Sequence, residues 1–324
     1  GIQGYSVQTL SSDPSPTANV EGQLWYNSTS STFKIAAAGA GAWSSGGNLN
    51  LARGEVCGIG ITSAAMAIGG DLPPPATTAS ETYDGTSWTE GNDINTARKG
   101  MTGTGSTAAG MIAGGQSSSP VSATEIYDGT SWTTSPASLT RGGATASTAI
   151  AGASSTSALI FGGEPGTSYS TLSETWNGTS WSEGSDLNSL RQSAGGVGIV
   201  TAALACGGYS GSAVDQVESY DGTSWTETAT DINTARASMG SNGTSTLCLI
   251  FGGQPPTSAL TESFNGTTWT EVADLATARS YLGSTQSPTN TNTTALAFGG
   301  IPPATNVTEE WNGAPVTVKT VTTS

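Results

Sequence analysis

The chain has 324 residues, of which 45 are glycine and none is histidine, and its formal net charge is −15. With 9 basic residues against 24 acidic ones, it is not expected to bind nucleic acid or anionic lipid, because both partners require clustered Lys and Arg. The absence of histidine excludes histidine triads, histidine zinc sites and acid–base catalysis by histidine, and the lack of a long apolar run predicts no membrane insertion.

The N-terminal segment, residues 1–42, is predicted to be a linker followed by a β-hairpin. Its strands are LWYN at 24–27 and TFKI at 32–35, separated by a Ser/Thr turn. The run Gly-Gln-Leu-Trp-Tyr-Asn-Ser-Thr at 22–29 resembles a segment of structural proteins of tailed bacteriophages, especially marine ones. The resemblance implies a virion protein attached to the particle through this segment. A plainer alternative is that the hairpin only seals the edge of the following domain.

Residues 43–313 are built from a sequence repeat. An apolar run ends in a Gly-Gly pair six times, and the first glycines of successive pairs are 45 to 48 residues apart. Regular spacing of this kind indicates an architecture of repeated structural units. The first glycines of the pairs are Gly69, Gly114, Gly162, Gly207, Gly252 and Gly299.

Other residues recur at fixed places in the repeat. An aromatic residue precedes an Asp/Asn-Gly turn in every unit, and a Glu lies two residues before it: Glu81, Glu125, Glu174, Glu218, Glu262 and Glu309. The repeated Trp residues are Trp43, Trp88, Trp132, Trp181, Trp225 and Trp269. The repeated Arg residues are Arg53, Arg98, Arg141, Arg191, Arg236 and Arg279. Because a residue type present in every unit is most simply scaffold, we interpret all of these residues as structural.

Each unit is predicted to form four short strands. The first follows the Arg, the second ends at the Gly pair, the third carries the aromatic residue, and the fourth begins at the Trp. The Asp/Asn-Gly turn is a strong hairpin signal, and no sustained 3.6-residue periodicity predicts a helix. An apolar strand ending in Gly-Gly, followed by an aromatic residue, a Trp and an Arg, resembles the kelch repeat. The resemblance implies an all-β, kelch-type β-propeller with one four-stranded blade per repeat.

We expect six blades, with the last completed by an N-terminal strand. The sixth unit reaches its aromatic residue, Trp311, but has no second Trp. Trp43 precedes Arg53 by the same interval that separates Trp88 from Arg98. Trp43 is therefore predicted to begin the fourth strand of the last blade and to close the ring. Residues 314–324 are predicted to add a C-terminal strand.

The repeated polar residues are predicted to hold the blades together. The Arg and Glu residues would form ion pairs within or between blades, and the Trp residues would pack between blades in preference to stacking sugars.

Asp-x-Asn at 93–95, 186–188 and 231–233 would hydrogen-bond the connection between fourth and first strands, with a calcium site as the alternative. Cys57, Cys206 and Cys248 are predicted to be buried thiols.

The residues that break the repeat are the candidate binding residues. Loops between second and third strands differ from unit to unit, whereas the opposite strand ends carry uniform turns and one long insertion at 284–294. Variable loops on a rigid scaffold are typical of a recognition surface. Tyr169 and Tyr209 either anchor a ligand or only cover the base of the loops. The candidates on this surface are Asp71, Tyr169, Tyr209 and Asp215.

We expect a non-enzymatic structural protein of a tailed-phage virion, associated with the tail or a fibre. No catalytic residue, metal site or cofactor is predicted. The expected partners are other virion proteins and a host-surface glycan or protein, and a homo-oligomer remains open. The alternatives are a secreted or cell-surface lectin-like propeller and a glycan-cleaving enzyme, for which the acidic residues offer many carboxylate pairs.

Overall fold

The fold is described from a computed structural model of the chain. It describes residues 7–14, 23–38, 41–72, 75–140, 149–165, 168–286, 289, 291–313 and 316–321. The chain divides into two compact units: unit 1 comprises Gly1–Ala42 and Asn312–Ser324, and unit 2 comprises Trp43–Trp311. The described residues form strands and no helix, so they contain no helix that could span a membrane.

Unit 1 contains one four-stranded sheet. Its strands, in their order across the sheet, are β1 (Gln8–Leu10), β2 (Leu24–Asn27), β3 (Thr32–Ala38) and β28 (Val316–Thr320). β2 and β3 form the predicted hairpin, with Tyr26 opposite Phe33. β1 runs parallel to β2, and β28 pairs antiparallel with β3. The two terminal segments, which are far apart in sequence, therefore share one sheet.

Unit 2 contains six four-stranded antiparallel sheets, numbered 1 to 6 here. Sheet 1 has β5 (Cys57–Ile61), β6 (Ala64–Ile68), β7 (Ser80–Tyr83) and β8 (Trp88–Glu90). Sheet 2 has β9 (Thr102–Ser106), β10 (Ala109–Ala113), β11 (Ala123–Tyr127) and β12 (Trp132–Ser138). Sheet 3 has β13 (Ala149–Ser154), β14 (Ser157–Phe161), β15 (Ser173–Trp176) and β16 (Trp181–Glu183).

The remaining three sheets repeat this order of strands. Sheet 4 has β17 (Gly195–Ile199), β18 (Ala202–Tyr209), β19 (Ala213–Tyr220) and β20 (Trp225–Glu227). Sheet 5 has β21 (Gly240–Gly243), β22 (Cys248–Phe251), β23 (Thr261–Phe264) and β24 (Trp269–Val272). Sheet 6 has β25 (Gly283–Ser284), β26 (Thr294–Phe298), β27 (Thr308–Asn312) and β4 (Ala42–Ser45) as its fourth strand.

The core of unit 2 lies between neighbouring sheets. The second strand of each sheet is a short apolar run that is buried on both faces, as in β22 and β26, because a sheet lies against each side of it. Six apolar clusters result, and each joins residues of two sheets consecutive in the series, including sheets 6 and 1. The first strands also lie side by side in series, with β25 beside β5.

Glycine permits the close approach of the first strands. A Cβ atom on Gly58 would lie 2.1 Å from the Ser284 carbonyl oxygen, and one on Gly196 would lie 2.7 Å from the Ile150 carbonyl oxygen. Both distances are too short for a side chain, so these positions require glycine. The predicted all-β chain of short antiparallel sheets is confirmed, and the six similar sheets of unit 2 are consistent with a β-propeller.

Candidate functional site

The repeated Arg residues are buried ion-pair partners of the repeated Glu residues. Five of the six predicted pairs lie within the described residues, and all five are formed; Arg141 lies outside them. The N–O distance is 2.7 Å in Arg98–Glu125 and 3.1 Å in Arg53–Glu81, and the side chains are at most 3% exposed. The other pairs are Arg191–Glu218, Arg236–Glu262 and Arg279–Glu309.

The second carboxylate oxygen of these Glu residues accepts hydrogen bonds from the connection that leads from the preceding sheet. Glu125 Oε2 accepts from the backbone N–H and the side-chain amide of Asn95, at 2.7 and 2.8 Å, and the same amide donates to the Trp132 carbonyl. Asn50, Asn188 and Asn233 bond Glu81, Glu218 and Glu262 in the same way. The Asn of Asp-x-Asn therefore ties the connection between sheets, as the sequence predicts.

The aspartates of Asp-x-Asn also bond protein groups. Asp93 Oδ2 accepts from the Thr78 hydroxyl, Asp186 Oδ1 from Ser173 N–H, and Asp231 Oδ1 from Val217 N–H. Within the described part of the chain, no group of three or more His, Cys, Asp or Glu residues is placed to hold a metal ion.

Burial changes the protonation equilibria of the scaffold residues. It lowers the pKa of Arg53, and the facing carboxylate of Glu81 opposes this shift. Burial also raises the pKa of the Cys57 thiol to about 12. Cys57, Cys206 and Cys248 are all buried free thiols, so none is poised as a nucleophile.

The repeated aromatic residues form pairs at the start of each fourth strand. Tyr83 and Trp88 have ring centroids 4.9 Å apart, and Trp43 and Trp311 have centroids 5.5 Å apart. The same pairing joins Tyr127 to Trp132, Trp176 to Trp181, Tyr220 to Trp225 and Phe264 to Trp269. All of these rings except Trp43 are less than a tenth exposed, so they form part of the packing.

At the ends of the sheets called here the turn face, the Asp/Asn-Gly turns are uniform, and one longer connection, 285–293 between β25 and β26, departs from the repeat. Asp84 Oδ1 accepts from the N–H groups of Thr86 and Ser87, both at 2.8 Å. Asn177 Oδ1 accepts in the same way from Thr179 and Ser180, both at 2.9 Å. These backbone hydrogen bonds lower the pKa values of Asp84, Asp128 and Asp221. A cleft of about 570 Å³ lies here, and it is lined by repeated residues such as Tyr83 and Tyr127.

The opposite ends, the loop face, keep one backbone frame while the side chains change. The residue after the Arg and the residue after the Gly pair form an antiparallel bridge with two backbone hydrogen bonds of 2.7 to 3.1 Å. Side chains directly opposite each other in such a bridge project on the same side. The five described bridges pair Gly54 with Asp71, Lys99 with Gln116, Gln192 with Tyr209, Ala237 with Gln254, and Ser280 with Ile301.

A series of backbone hydrogen bonds links the residues that follow these bridges. Glu55, Ser193, Ser238 and Tyr281, each two residues after an Arg, have φ values of 50 to 55°, which are uncommon for residues with a side chain. Backbone N–H groups link equivalent residues of neighbouring sheets: Ser238 to Ser193, Tyr281 to Ser238, Glu55 to Tyr281 and Gly100 to Glu55, at 2.8 to 3.0 Å. These bonds hold the unusual conformation in place.

The first strands and these linked residues line a small cavity. Its volume is about 100 Å³, and residues of all six sheets line it, among them Glu55, Ser193, Ser238 and Tyr281. Gln286 also lines it, and its side-chain amide donates to the carbonyls of Gly196 and Ser241. The first strands therefore surround a narrow well.

An ion cluster joins sheets 1 and 2 on the loop face. Lys99 Nζ donates to Glu55 Oε1 at 2.9 Å and to Asp71 Oδ2 at 2.8 Å, and its side chain is 25% exposed. Burial alone would lower the pKa of Lys99, but the bonds to Asp71 and Glu55 outweigh it and the pKa is raised. The sequence singled out Asp71 but not Lys99 or Glu55. Lys99 directly follows Arg98, and Glu55 lies two residues after Arg53. A charged residue at these places departs from the repeat, and this departure is the signal that could have identified both residues.

Two of the other candidate residues, Tyr169 and Tyr209, are in contact. Their ring centroids are 5.8 Å apart with an interplanar angle of 85°, and both residues are half-buried. Asp215, on β19, is exposed, and its carbonyl accepts from Ile232 N–H. The structure therefore brings together one pair of candidate residues and leaves Asp71 in a separate ion cluster. No protein-family model and no curated protein matches the chain.

Proposed function

We propose that unit 2 is a six-bladed, kelch-type β-propeller that is closed by β4. The equivalence of β4 to the other fourth strands supports this proposal. The indole N–H of Trp43 donates to the Thr261 hydroxyl of the preceding sheet at 3.0 Å, as that of Trp88 donates to Thr308 at 3.0 Å. The backbone bond from Glu55 to Tyr281 and the apolar cluster between sheets 6 and 1 support a ring without an open side.

The propeller serves as a non-enzymatic binding module of a tailed-phage virion, associated with the tail or a fibre. Its loop face contacts a host-surface glycan or protein. The observation that carries this proposal is the contrast between the two faces: one backbone frame recurs on the loop face with different side chains in each sheet, whereas the Asp/Asn-Gly turns of the turn face repeat the same bonds from an Asp or Asn side chain. Selection for binding explains variation on a constant frame.

Unit 1 serves as the attachment element. It is a compact unit of its own, in which strands from both ends of the chain form one sheet. Its β2–β3 hairpin contains the segment that resembles phage structural proteins.

Two measurements on material that contains the whole chain test this function. Antibodies against the chain should label purified phage particles in immunogold electron microscopy, and unlabelled particles would refute the virion assignment in favour of a secreted protein. The purified chain should bind host cells and reduce phage adsorption. If it binds no cells and leaves adsorption unchanged, the recognition role is wrong. Release of reducing sugar from host polysaccharide would instead support the glycan-cleaving alternative.

A further inference from the structure

We infer that Tyr169, Tyr209 and Gln192 form a binding site for an uncharged glycan on the loop face between sheets 3 and 4. This inference rests on the proposed recognition function and names the place and the chemistry of the contact. The three residues are referred to below as the tyrosine ledge.

The ledge is built on a hairpin whose two strands extend onto the loop face. β18 and β19 continue past the Gly pair and remain paired as far as Tyr209 and Ala213. A short turn closes this hairpin, with Ser210 N–H donating to the Ser212 carbonyl at 3.0 Å and Gly211 at a φ of 104°. Tyr209 is therefore held by strand pairing, which fixes its backbone before any ligand arrives.

The second tyrosine comes from the neighbouring sheet. Tyr169 lies in the connection between β14 and β15, and the adjacent Ser170 N–H donates to the Gly163 carbonyl at 3.0 Å. The rings of Tyr169 and Tyr209 meet edge to face. In that geometry the pair covers one ring face and leaves the other ring faces free of the partner ring. The C–H groups of a pyranose can pack against such faces, and the two phenol hydroxyls can bond its oxygens.

Gln192 supplies a hydrogen-bond acceptor beside the rings. Its backbone forms the bridge with Tyr209, with N–O distances of 3.0 and 2.9 Å, so the two side chains project on the same side. Gln192 Oε1 is buried and has no hydrogen-bond partner among the described residues. A buried acceptor without a donor is unfavourable, and a rotation of the partly exposed Gln192 side chain that turns Oε1 toward a ligand hydroxyl would satisfy it.

The charge of the surroundings selects an uncharged ligand. In the described part of unit 2 every Arg is buried in an ion pair, and Lys99 is already bonded to Glu55 and Asp71. The chain as a whole carries a net charge of −15, so acidic polysaccharides would be repelled. A run of proline also packs on aromatic rings, but it has no N–H or hydroxyl group that could donate to the unpaired Gln192 Oε1.

The test is ligand-observed NMR on the full chain with named probes. Saturation transfer from the protein is measured to maltohexaose, cellohexaose and mannohexaose, with heparin hexasaccharide and decaproline as the charged and peptide probes. We expect transfer to at least one neutral hexasaccharide and none to heparin. Tyr209→Ala and Tyr169→Ala should each weaken that binding about tenfold, whereas Tyr281→Ala, on the same face beyond the ledge, should leave it unchanged.

A further variant keeps the test decisive if a tyrosine variant unfolds. Gln192→Met removes the unpaired acceptor at similar volume, so it should raise the melting temperature and weaken glycan binding at the same time; Gln116→Met, at another bridge, should not weaken glycan binding. Binding of decaproline alone, no binding of any neutral hexasaccharide, or equal loss in Tyr281→Ala would overturn the ledge. If the intact chain and all these variants bind host cells equally, the ledge is wrong while the recognition function stands; if no form binds cells, the recognition function is wrong.

Discussion

The indole N–H of Trp181 donates to the hydroxyl of Thr124 on the preceding sheet, at a distance of 2.8 Å. The residue at the position of Thr124 decides whether this bond between sheets forms. Where it is Ser, as at Ser80 and Ser173, the hydroxyl bonds the carbonyls of Asn92 and Ser185 instead. In sheet 4 the equivalent residue is Val217, whose side chain has no hydroxyl. The corresponding indoles of Trp132, Trp225 and Trp269 are accordingly buried without a partner.

Val217→Thr should therefore stabilise the protein. The new hydroxyl would accept from Trp269 Nε1 as Thr124 accepts from Trp181, and the free energy of unfolding should rise by about 1 kcal/mol. Chemical denaturation of the full chain measures the change. Val217→Ser is the matched control, because serine at this position bonds its own connection and should give no gain. Equal stability of the two variants would show that the indole does not capture the hydroxyl.

Arg236→Ala should destabilise the protein strongly. Arg236 and Glu262 are each about 1% exposed and bonded to each other, so the substitution leaves a buried carboxylate without its counter-charge, at a cost of about 3–5 kcal/mol. Lys99→Ala breaks two ion pairs whose side chains are 20–25% exposed and should cost less than about 1 kcal/mol for each pair. Similar melting temperatures for the two variants would contradict a structural role for the repeated Arg residues.

The turn aspartates should contribute to the loss of stability in acid. The folded-state pKa values of Asp84, Asp128 and Asp221 lie below the ordinary value of 3.8, so their stabilisation is fully present above 3.8 and is lost as the pH falls through the folded-state values. The triple variant Asp84→Asn, Asp128→Asn, Asp221→Asn keeps the turn bonds that Asn177 makes but cannot titrate. Its unfolding free energy should fall less steeply below about pH 4 than that of the parent chain.

A charge-matched variant separates turn bonding from general charge. Glu90, Glu183 and Glu227 are exposed residues on fourth strands, and their replacement by Gln removes the same number of charges outside the turns. The unfolding free energy of this variant should fall below about pH 4 as steeply as that of the parent chain. If the unfolding free energies of both triple variants fall equally slowly with decreasing pH, surface charge and not turn bonding explains the pH dependence.

The cysteines should be unreactive until the protein unfolds. Burial raises the pKa of Cys57 to about 12 and that of Cys248 well above its ordinary value, so little thiolate is present at neutral pH. Iodoacetamide should label none of the three residues in the native chain and all of them in guanidinium chloride, as counted by mass spectrometry. Ser212→Cys, at an exposed position on the β18–β19 hairpin, should be labelled in the native state. Native labelling of Cys57 would contradict its burial.

The sequence by itself determined the all-β class, the strands of each repeat and the pairing of Arg with Glu. These features depend on local signals, such as an apolar run that ends in Gly-Gly or an Asp/Asn-Gly turn, and on recurrence, which averages out chance occurrences. The assignment of Trp43 as a fourth-strand residue followed from the same interval arithmetic. The sequence did not predict β1, because its three residues, Gln8–Leu10, carry no periodic pattern.

Only the tertiary structure decided which unrepeated residues meet. The contact of Tyr169 with Tyr209, the bonds of Lys99 to Glu55 and Asp71, and the unpaired acceptor of Gln192 all depend on how loops of different repeats approach one another. No interval in the chain encodes such contacts, because each occurs once and joins segments whose relative position is set by sheet packing. Contacts that recur in every repeat can therefore be predicted from one sequence. The contacts that occur once and make up a binding surface can be identified only from the tertiary structure.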